Sequence, residues 1–385
     1  MEMLEYDERI LYRLKELLGK SRIAQILNRI KEPPAKYYVR VNTALADPED
    51  IVELLTARGF EVYRDKLIGE AIYFRVKGPF EIPRAKLKVI ADKFAAESVM
   101  LGADLYAPGV KKCDKVKRGD KVNILSPSGD VVAYGVVKMD YTDIFRFKRG
   151  IAVKVLVSRY RAPKLRYTPE YEQGLIYDQS YPAILTTRIL DPEPEDIIVD
   201  MCSAPGGKTT HIAQLLNGKG VIYAFDRREK KVRRVEEEIK RMKLKNVIVS
   251  IADSRYLHKD FPWLKADKVI LDPPCSSIGV RPKLYDKKTY DDVIRLAEYQ
   301  KQFIKVAYKI LRKNGLLVYS TCTITIEENE EIIRYALTLG MEIEEQLIYV
   351  GERGLRILRG YDKLQRFHPD VIDTPGYFIA KLRKP

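Results

Sequence analysis

The residues best suited to covalent chemistry are two cysteines, each at the end of an apolar run. Val269–Leu271 leads into Asp272-Pro273-Pro274-Cys275, and Leu316–Ser320 leads into Thr321-Cys322-Thr323. In an open α/β sheet the carboxyl ends of the strands border one crevice, so two thiols placed there face the same ligand. A thiol whose pKa is lowered at such a place becomes a nucleophile. Cys113, outside this pattern, reads as a small buried hydrophobe.

A nucleoside cofactor is signalled by three earlier strand ends. Ile197–Met201 runs into Asp200-Met201-Cys202-Ser203-Ala204-Pro205-Gly206-Gly207-Lys208-Thr209-Thr210-His211. Such a Gly-rich turn lets backbone approach a ligand, with the amides of the following helix free to bond it. Gly207-Lys208-Thr209 imitates the end of a phosphate-cradling loop, and Val269–Asp272 could pass for its magnesium strand. That loop needs a glycine where Cys202 stands. The next strands end at Asp226, suited to both hydroxyls of an adenosine ribose, and at Asp253, suited to the adenine edge. Either acid alone could simply cap a helix.

A thiolate, an adenosine-type cofactor and a basic surface together fit methylation of a pyrimidine ring carbon. Cytosine C5 is too weak a nucleophile to attack a methyl sulfonium directly, but a thiolate adding at C6 turns the ring into an enamine that can. Two other readings stay open. One is a non-catalytic RNA-binding protein on this scaffold, and the other is a DNA cytosine methyltransferase using the Pro-Cys of Cys275.

The elements that must hold these residues are an α/β fold, a mostly parallel sheet with helices on both faces, over residues 164–385. Strands are expected at 197–201, 221–225, 247–251, 268–271 and 316–320, with helices such as 227–242 and 290–311 between them. Residues 90–163 read as a compact β-barrel of short strands broken by Gly and Pro turns. Residues 1–89 read as a small α+β unit with helices after the Asp7 and Asp47 caps, and its expected role is scaffold.

The chain has 385 residues and a formal charge of +15, which points to a polyanion. Lys111, Lys112, Lys115, Lys117, Arg118 and Lys121 crowd one segment of the barrel. The stretch 144–168 carries Arg146, Lys148, Arg149, Arg159, Arg161 and Lys164 with no acidic residue. Tyr141, Phe145, Phe147, Tyr160 and Tyr167 interleave with these cations, a pattern of nucleic-acid binding rather than of a merely solvated face. With 46% hydrophobic and 32% charged residues, the chain is globular rather than disordered or fibrous. No run nears the roughly 18 apolar residues of a membrane span, and the acidic start lacks a signal core. Four scattered cysteines and three histidines give neither a disulfide framework nor a metal cluster. A cytoplasmic, monomeric protein without metal is expected.

The motifs at Asp200–His211, Asp272–Ser276 and Tyr319–Thr323, with Asn329-Glu330, Gln365-Arg366-Phe367 and Gly376–Ala380, resemble the signatures of the NOL/NOP/Sun (NSUN) RNA cytosine-5 methyltransferases. Leu101–Val110, which contains Tyr106, looks like a PUA domain, an RNA-binding module. That domain together with Gly279-Val280-Arg281-Pro282 resembles the PUA-containing sixth NSUN subfamily. The resemblance implies a Rossmann-like catalytic domain, S-adenosylmethionine as cofactor, and tRNA as substrate. The target would be the 3′ cytosine of the first acceptor-stem pair, with the CCA end on the PUA domain. Carried over residue by residue, Cys322 is the nucleophile, Cys275 releases the product, Asp272 contacts the cytosine and Lys208 lines the site. Cys202, Ser203, Ala204, Pro205, Gly206, Gly207, Lys208, Asp226, Lys231, Asp253 and Asp272 are expected around the cofactor. Tyr106, the basic residues named above and Arg281 are expected on RNA. Pro273 stands where the family usually has Ala, and Ser277 where Gly is common, which puts the geometry of that loop in question.

Overall fold

The computed structural model describes residues 4–385, and its largest element is a nine-stranded sheet. In spatial order the strands are Val247–Ile251, Val221–Asp226, Ile197–Asp200, Ala266–Leu271, Leu311–Thr321, Tyr377–Arg383, Gln365–Phe367 and Glu352–Arg353, with Glu342–Ile343 also pairing to Tyr377–Arg383. The first five are parallel and the rest antiparallel, so the sheet is less uniformly parallel than the sequence suggests. From Ile197–Asp200 the chain winds outward to Val247–Ile251 and then returns to the other side at Ala266–Leu271. Strand order therefore reverses between Asp200 and Leu271, where open α/β sheets bind ligands.

A six-stranded sheet runs from Leu87–Ala91 to Ile151–Ser158 around its own core of Val89, Val122, Ile124 and Val153. Its first strand begins inside the expected amino-terminal unit. A four-stranded sheet joins Lys36–Val41, Val62–Arg64 and Ala71–Arg75 to Ile176–Asp178. The last of these strands comes from the region read as catalytic, so the two regions share one sheet.

The Asp7 and Asp47 side chains cap helices Glu8–Leu18 and Pro48–Ala57, as their positions predict. A further helix, Lys20–Ile30, has no side-chain cap and was not foreseen. It starts one residue after the first helix ends, at Gly19, whose φ of 86° turns the chain. Ile10, Leu14, Ile23, Ile26 and Ile30 of this hairpin bury against Ile278, Ile324 and Ile326. Ile278 follows Cys275 by three residues and Ile324 follows Cys322 by two. The amino-terminal hairpin thus supports both cysteine loops from behind.

The same unit anchors the helix after the Gly-rich turn, Gly207–Leu216. Arg40 donates to Thr210 Oγ1 at 2.8 Å, and Glu70 meets both His211 Nε2 at 2.8 Å and Arg188 at 2.7 Å. Burial, and then the nearby Arg40, hold His211 down at about 4. Burial works to raise the Glu70 carboxyl, but its bonds from His211 and Arg188 prevail and hold it at about 2. An unfolded chain takes protons on these groups near 6.5 and 4.5, before the folded one does. Stability is therefore full above pH 6.5 and falls on acidification through pH 4, by on the order of 3 kcal/mol from His211. Urea unfolding at pH 7.5 and 4.5 measures this loss, and a His211→Gln variant should show less of it.

Candidate active site

Two thiols lie side by side at the carboxyl edge of the sheet, with Cys275 Sγ 3.3 Å from Cys322 Sγ. Their loops are tied together by the fully buried Glu328. It accepts the Ser276 amide at 2.8 Å, Thr325 Oγ1 at 2.9 Å and Gln300 Nε2 at 3.0 Å, and also binds the Ser276 hydroxyl. Gln300 reaches on to the Pro274 carbonyl, and Tyr319 donates to Gln300 Oε1. Ser276 and Tyr319 lie in motifs quoted from the sequence, but Glu328, Gln300 and Thr325 were not singled out there.

The pair is electrostatically unequal. Cys322 is held below the ordinary thiol value, chiefly by its bond with Cys275 and further by Ser277 and Lys208, against burial and Asp272. Cys275 is pushed well above it, first by the same bond and then by burial. The surroundings of Cys322 thus favour its ionisation, and those of Cys275 oppose it. Cys202 is raised by burial, and so is Cys113, which packs beside the six-stranded core.

Ser277 settles the loop question raised by its departure from the family pattern. Its φ is 59°, in the left-handed region that glycine tolerates best. Its hydroxyl lies 3.4 Å from Cys322 Sγ and 3.7 Å from Cys275 Sγ. Once Cys322 is ionised, only the hydroxyl can donate across the Ser277 contact. Ser277→Gly should relieve the backbone and remove that donor. The acidic limb of the pH–rate profile then moves upward by about 0.5–1 unit while thermal stability holds or rises, as rate profiles and melting curves will show.

Over the thiols lies a cavity of about 250 Å3 lined by Cys202, Ala204, Asp226, Lys231, Asp253, Asp272, Tyr299 and Phe303. The Asp226 carboxylate ends its strand and meets Lys231 at 3.4 Å, and Asp253 is gripped by Arg255 at 2.6 Å. The Ser203 hydroxyl and amide both donate to the Phe225 carbonyl, at 3.1 and 2.9 Å, and this residue does not line the cavity. Gly206 has a φ of 109°, which swings the turn into its helix. Beneath the turn, the buried Asp200 accepts from Thr209 Oγ1 at 2.6 Å, and burial raises it to about 6. A second space of about 190 Å3 adjoins, lined by Pro205, Gly207, Lys208 and Asp272. There the Lys208 ammonium pairs with Asp272 and lies 5.9 Å from the Tyr377 ring centroid. Tyr377 belongs to a motif quoted from the sequence but received no role there.

The expected RNA contacts divide. Tyr106 and Lys164 line a groove of about 600 Å3 with Phe94, Arg166 and Tyr167. These three aromatics, Phe94, Tyr106 and Tyr167, are 74%, 46% and 76% exposed. Lys111, Lys112, Lys115, Lys117, Arg118, Lys121, Arg146, Lys148, Arg149, Arg159 and Arg161 are exposed but lie outside that groove. Arg281 is a correction. Its guanidinium is buried on the carbonyls of Glu32 and Pro33 and on Asp373, so it braces the amino-terminal unit instead of meeting a phosphate.

Residues 187–383 match the family model for the 16S rRNA methyltransferases RsmB/F, and residues 87–157 match the PUA domain. A tRNA (cytosine(72)-C(5))-methyltransferase of Pyrococcus horikoshii is 44% identical over 376 residues, covering 96% of this chain and 95% of its own. The chain belongs to the NSUN family of RNA cytosine-5 methyltransferases. The human relative NSUN6 is 27% identical, over 95% of this chain and 88% of its own. The crystal structure of NSun6 from P. horikoshii with SFG, an S-adenosylmethionine analogue, superposes with a TM-score of 0.91 at 43% identity over 98% of each chain. This NSUN enzyme uses S-adenosylmethionine. The six-stranded sheet is its PUA domain, and the nine-stranded sheet its methyltransferase domain. Among the described residues no helix is long and apolar enough to cross a membrane, and no cluster of His, Cys, Asp and Glu could hold a metal ion.

Proposed function

We propose that this enzyme forms 5-methylcytosine in tRNA at the 3′ cytosine of the first acceptor-stem pair, position 72, through a covalent adduct with Cys322. The carrying observation is the unequal thiol pair, 3.3 Å apart, bordering both the cofactor-sized cavity and the Lys208–Asp272 pair. The position rests on the relatives named for cytosine 72, which align with nearly the whole chain, PUA domain included.

The cavity suits the cofactor. Cys202 and Ala204 of the Gly-rich turn line it, Asp226 offers a carboxylate for the ribose, Asp253 an acid near the adenine, and Tyr299 and Phe303 apolar walls. When bound, S-adenosylmethionine supplies an electrophilic methyl group. Cys322 adds to cytosine C6, which makes C5 nucleophilic. Asp272 hydrogen-bonds the ring and favours protonation at its nitrogen, while Lys208 holds Asp272 in place. After methylation, Cys275, having given its own proton to solvent, accepts the C5 proton, and the electron pair of that C–H bond re-forms the C5–C6 double bond and expels the Cys322 thiolate.

The groove that Phe94 and Tyr106 of the PUA domain form with Lys164, Arg166 and Tyr167 takes the CCA end, its exposed aromatics stacking on bases and its cations meeting phosphates. Residues 1–89 act as scaffold, 90–163 as the RNA-binding domain and 164–385 as the catalytic domain of a cytoplasmic monomer. Methylation of total tRNA followed by mapping of the modified base tests the reading. Label at cytosine 72, lost when that base is uracil, is expected, and label confined to an anticodon-loop cytosine would overturn the position. Binding should weaken steeply with salt, log K falling linearly in log[salt].

A further inference from the structure

Between the cysteine loops and the PUA domain lies a buried cluster of charges that no step above uses. Lys283 follows Ser277 by six residues and is only 3% exposed. Its ammonium donates to the Ser277 carbonyl and meets the Asp286 carboxylate at 3.1 Å, while its amide donates to the Ile30 carbonyl at 2.9 Å. Asp286 is equally buried and also meets Lys93 at 2.9 Å, Lys288 at 3.5 Å and the Tyr6 hydroxyl at 3.3 Å. Lys93 opens the PUA helix Lys93–Met100, whose Phe94, Ala95 and Ser98 line the groove. From the same helix Glu97 accepts the Leu284 amide at 3.2 Å, and the Leu284 side chain packs in the PUA core. The segment after Ser277 is thus fastened to the amino-terminal hairpin and to the PUA domain within a few residues.

We infer that Lys283 is a positioning residue for methyl transfer: its bond to the Ser277 carbonyl keeps the Ser277 hydroxyl on Cys322 Sγ, and Asp286 and Lys93 brace it against the PUA domain. The inference rests on the reading that Cys322 is the nucleophile. Ser277 sits at a φ of 59°, where a residue other than glycine stays only if its surroundings hold it. Its carbonyl and its side chain turn together, so freeing one moves the other. A buried ammonium needs close partners, and here one of the two is backbone of the active-site loop. Burial works to lower Lys283 and to raise Asp286, but the attraction between the two, with Lys93 beside them, holds Asp286 below the ordinary carboxylate value. Glu97 is pushed up by burial to about 7. It titrates within the range of the test, so variants are compared pH by pH with Glu97, Lys93, Lys288, Asp272, Lys208 and Cys275 present in all.

The test alkylates the full-length enzyme with iodoacetamide, without RNA or cofactor, from about pH 6 to pH 10 and follows the Cys322 peptide by mass spectrometry. That rate reads the ionisation of Cys322 whichever thiol serves as nucleophile. Lys283→Met should move the Cys322 midpoint upward by about 0.5–1 unit and slow single-turnover methylation at pH 7 by about three- to tenfold, with tRNA affinity within about twofold of wild type. In a Ser277→Gly background, where no hydroxyl is left to position, the same substitution should add no more than about 0.3 unit. Equal shifts in the two backgrounds would make Lys283 a charge acting through space, and an unmoved midpoint would make it a strut of the fold. Either result overturns the inference, as does tRNA binding that weakens as much as the rate falls. Lys283→Gln keeps a polar group for Asp286 but is too short to reach Ser277 as well, so it is judged by the same numbers should the methionine variant fail to fold. If Cys322→Ala stays active, the reading of the nucleophile fails on its own, and the alkylation midpoints still judge the hold of Lys283 on Ser277.

Discussion

Cys322→Ala should abolish methyl transfer, by on the order of 10⁴-fold or more, whereas Cys275→Ala should leave the enzyme covalently attached to its RNA. Both outcomes follow from the asymmetry of one pair. The thiol pushed above the ordinary range, Cys275, is the harder to ionise near neutral pH, and the thiol held below it, Cys322, the easier. Removing Cys275 also removes the largest influence holding Cys322 down. The variant should therefore form its adduct more slowly below pH 8 than the wild type, even while that adduct accumulates. Denaturing gel electrophoresis of enzyme incubated with cofactor and tRNA reads the adduct as a shifted band. A shifted band for Cys322→Ala, or none for Cys275→Ala at any pH, would reverse or dissolve the two roles.

Much of this site was legible because strand ends are legible. An apolar run followed by Gly, Pro or Asp marks both an element and its boundary, which is why Cys275, Cys322, Asp226 and Lys208 could be placed on one edge from sequence. The shared sheet was not legible, because Ile176–Asp178 is too short to show a period and its partner strand lies far away at Lys36–Val41. Nor was the fate of Arg281. The family resemblance puts this arginine on RNA, and only the fold reveals carbonyls from Glu32 and Pro33 converging on it. Glu328 was missed for a related reason. Its meaning is burial among partners, and sequence does not encode burial for an isolated polar side chain.

Asp272→Asn should lower kcat by about 10²–10³-fold while cofactor affinity stays within a few-fold. The carboxylate touches both spaces, but the groups suited to hold the nucleoside, Asp226 and Asp253, sit on other strands. Its partner gives the harder test. Lys208 is only 14% exposed, and despite the burial that opposes its charge, Asp272 and then Tyr377 keep its ammonium protonated. The asparagine variant leaves that ammonium without its counter-charge, which destabilises the fold as well as the reaction. Lys208→Met removes the buried cation and leaves Asp272, 31% exposed, in contact with solvent. It should fold better than Asp272→Asn yet lose a similar factor in kcat, because the carboxylate is no longer held against the ring. If the two groups act as one unit, the double variant will be no slower than the slower single one. Single-turnover methylation by all four proteins, at saturating cofactor and compared with their melting temperatures, separates this from independent roles, for which the two losses would multiply.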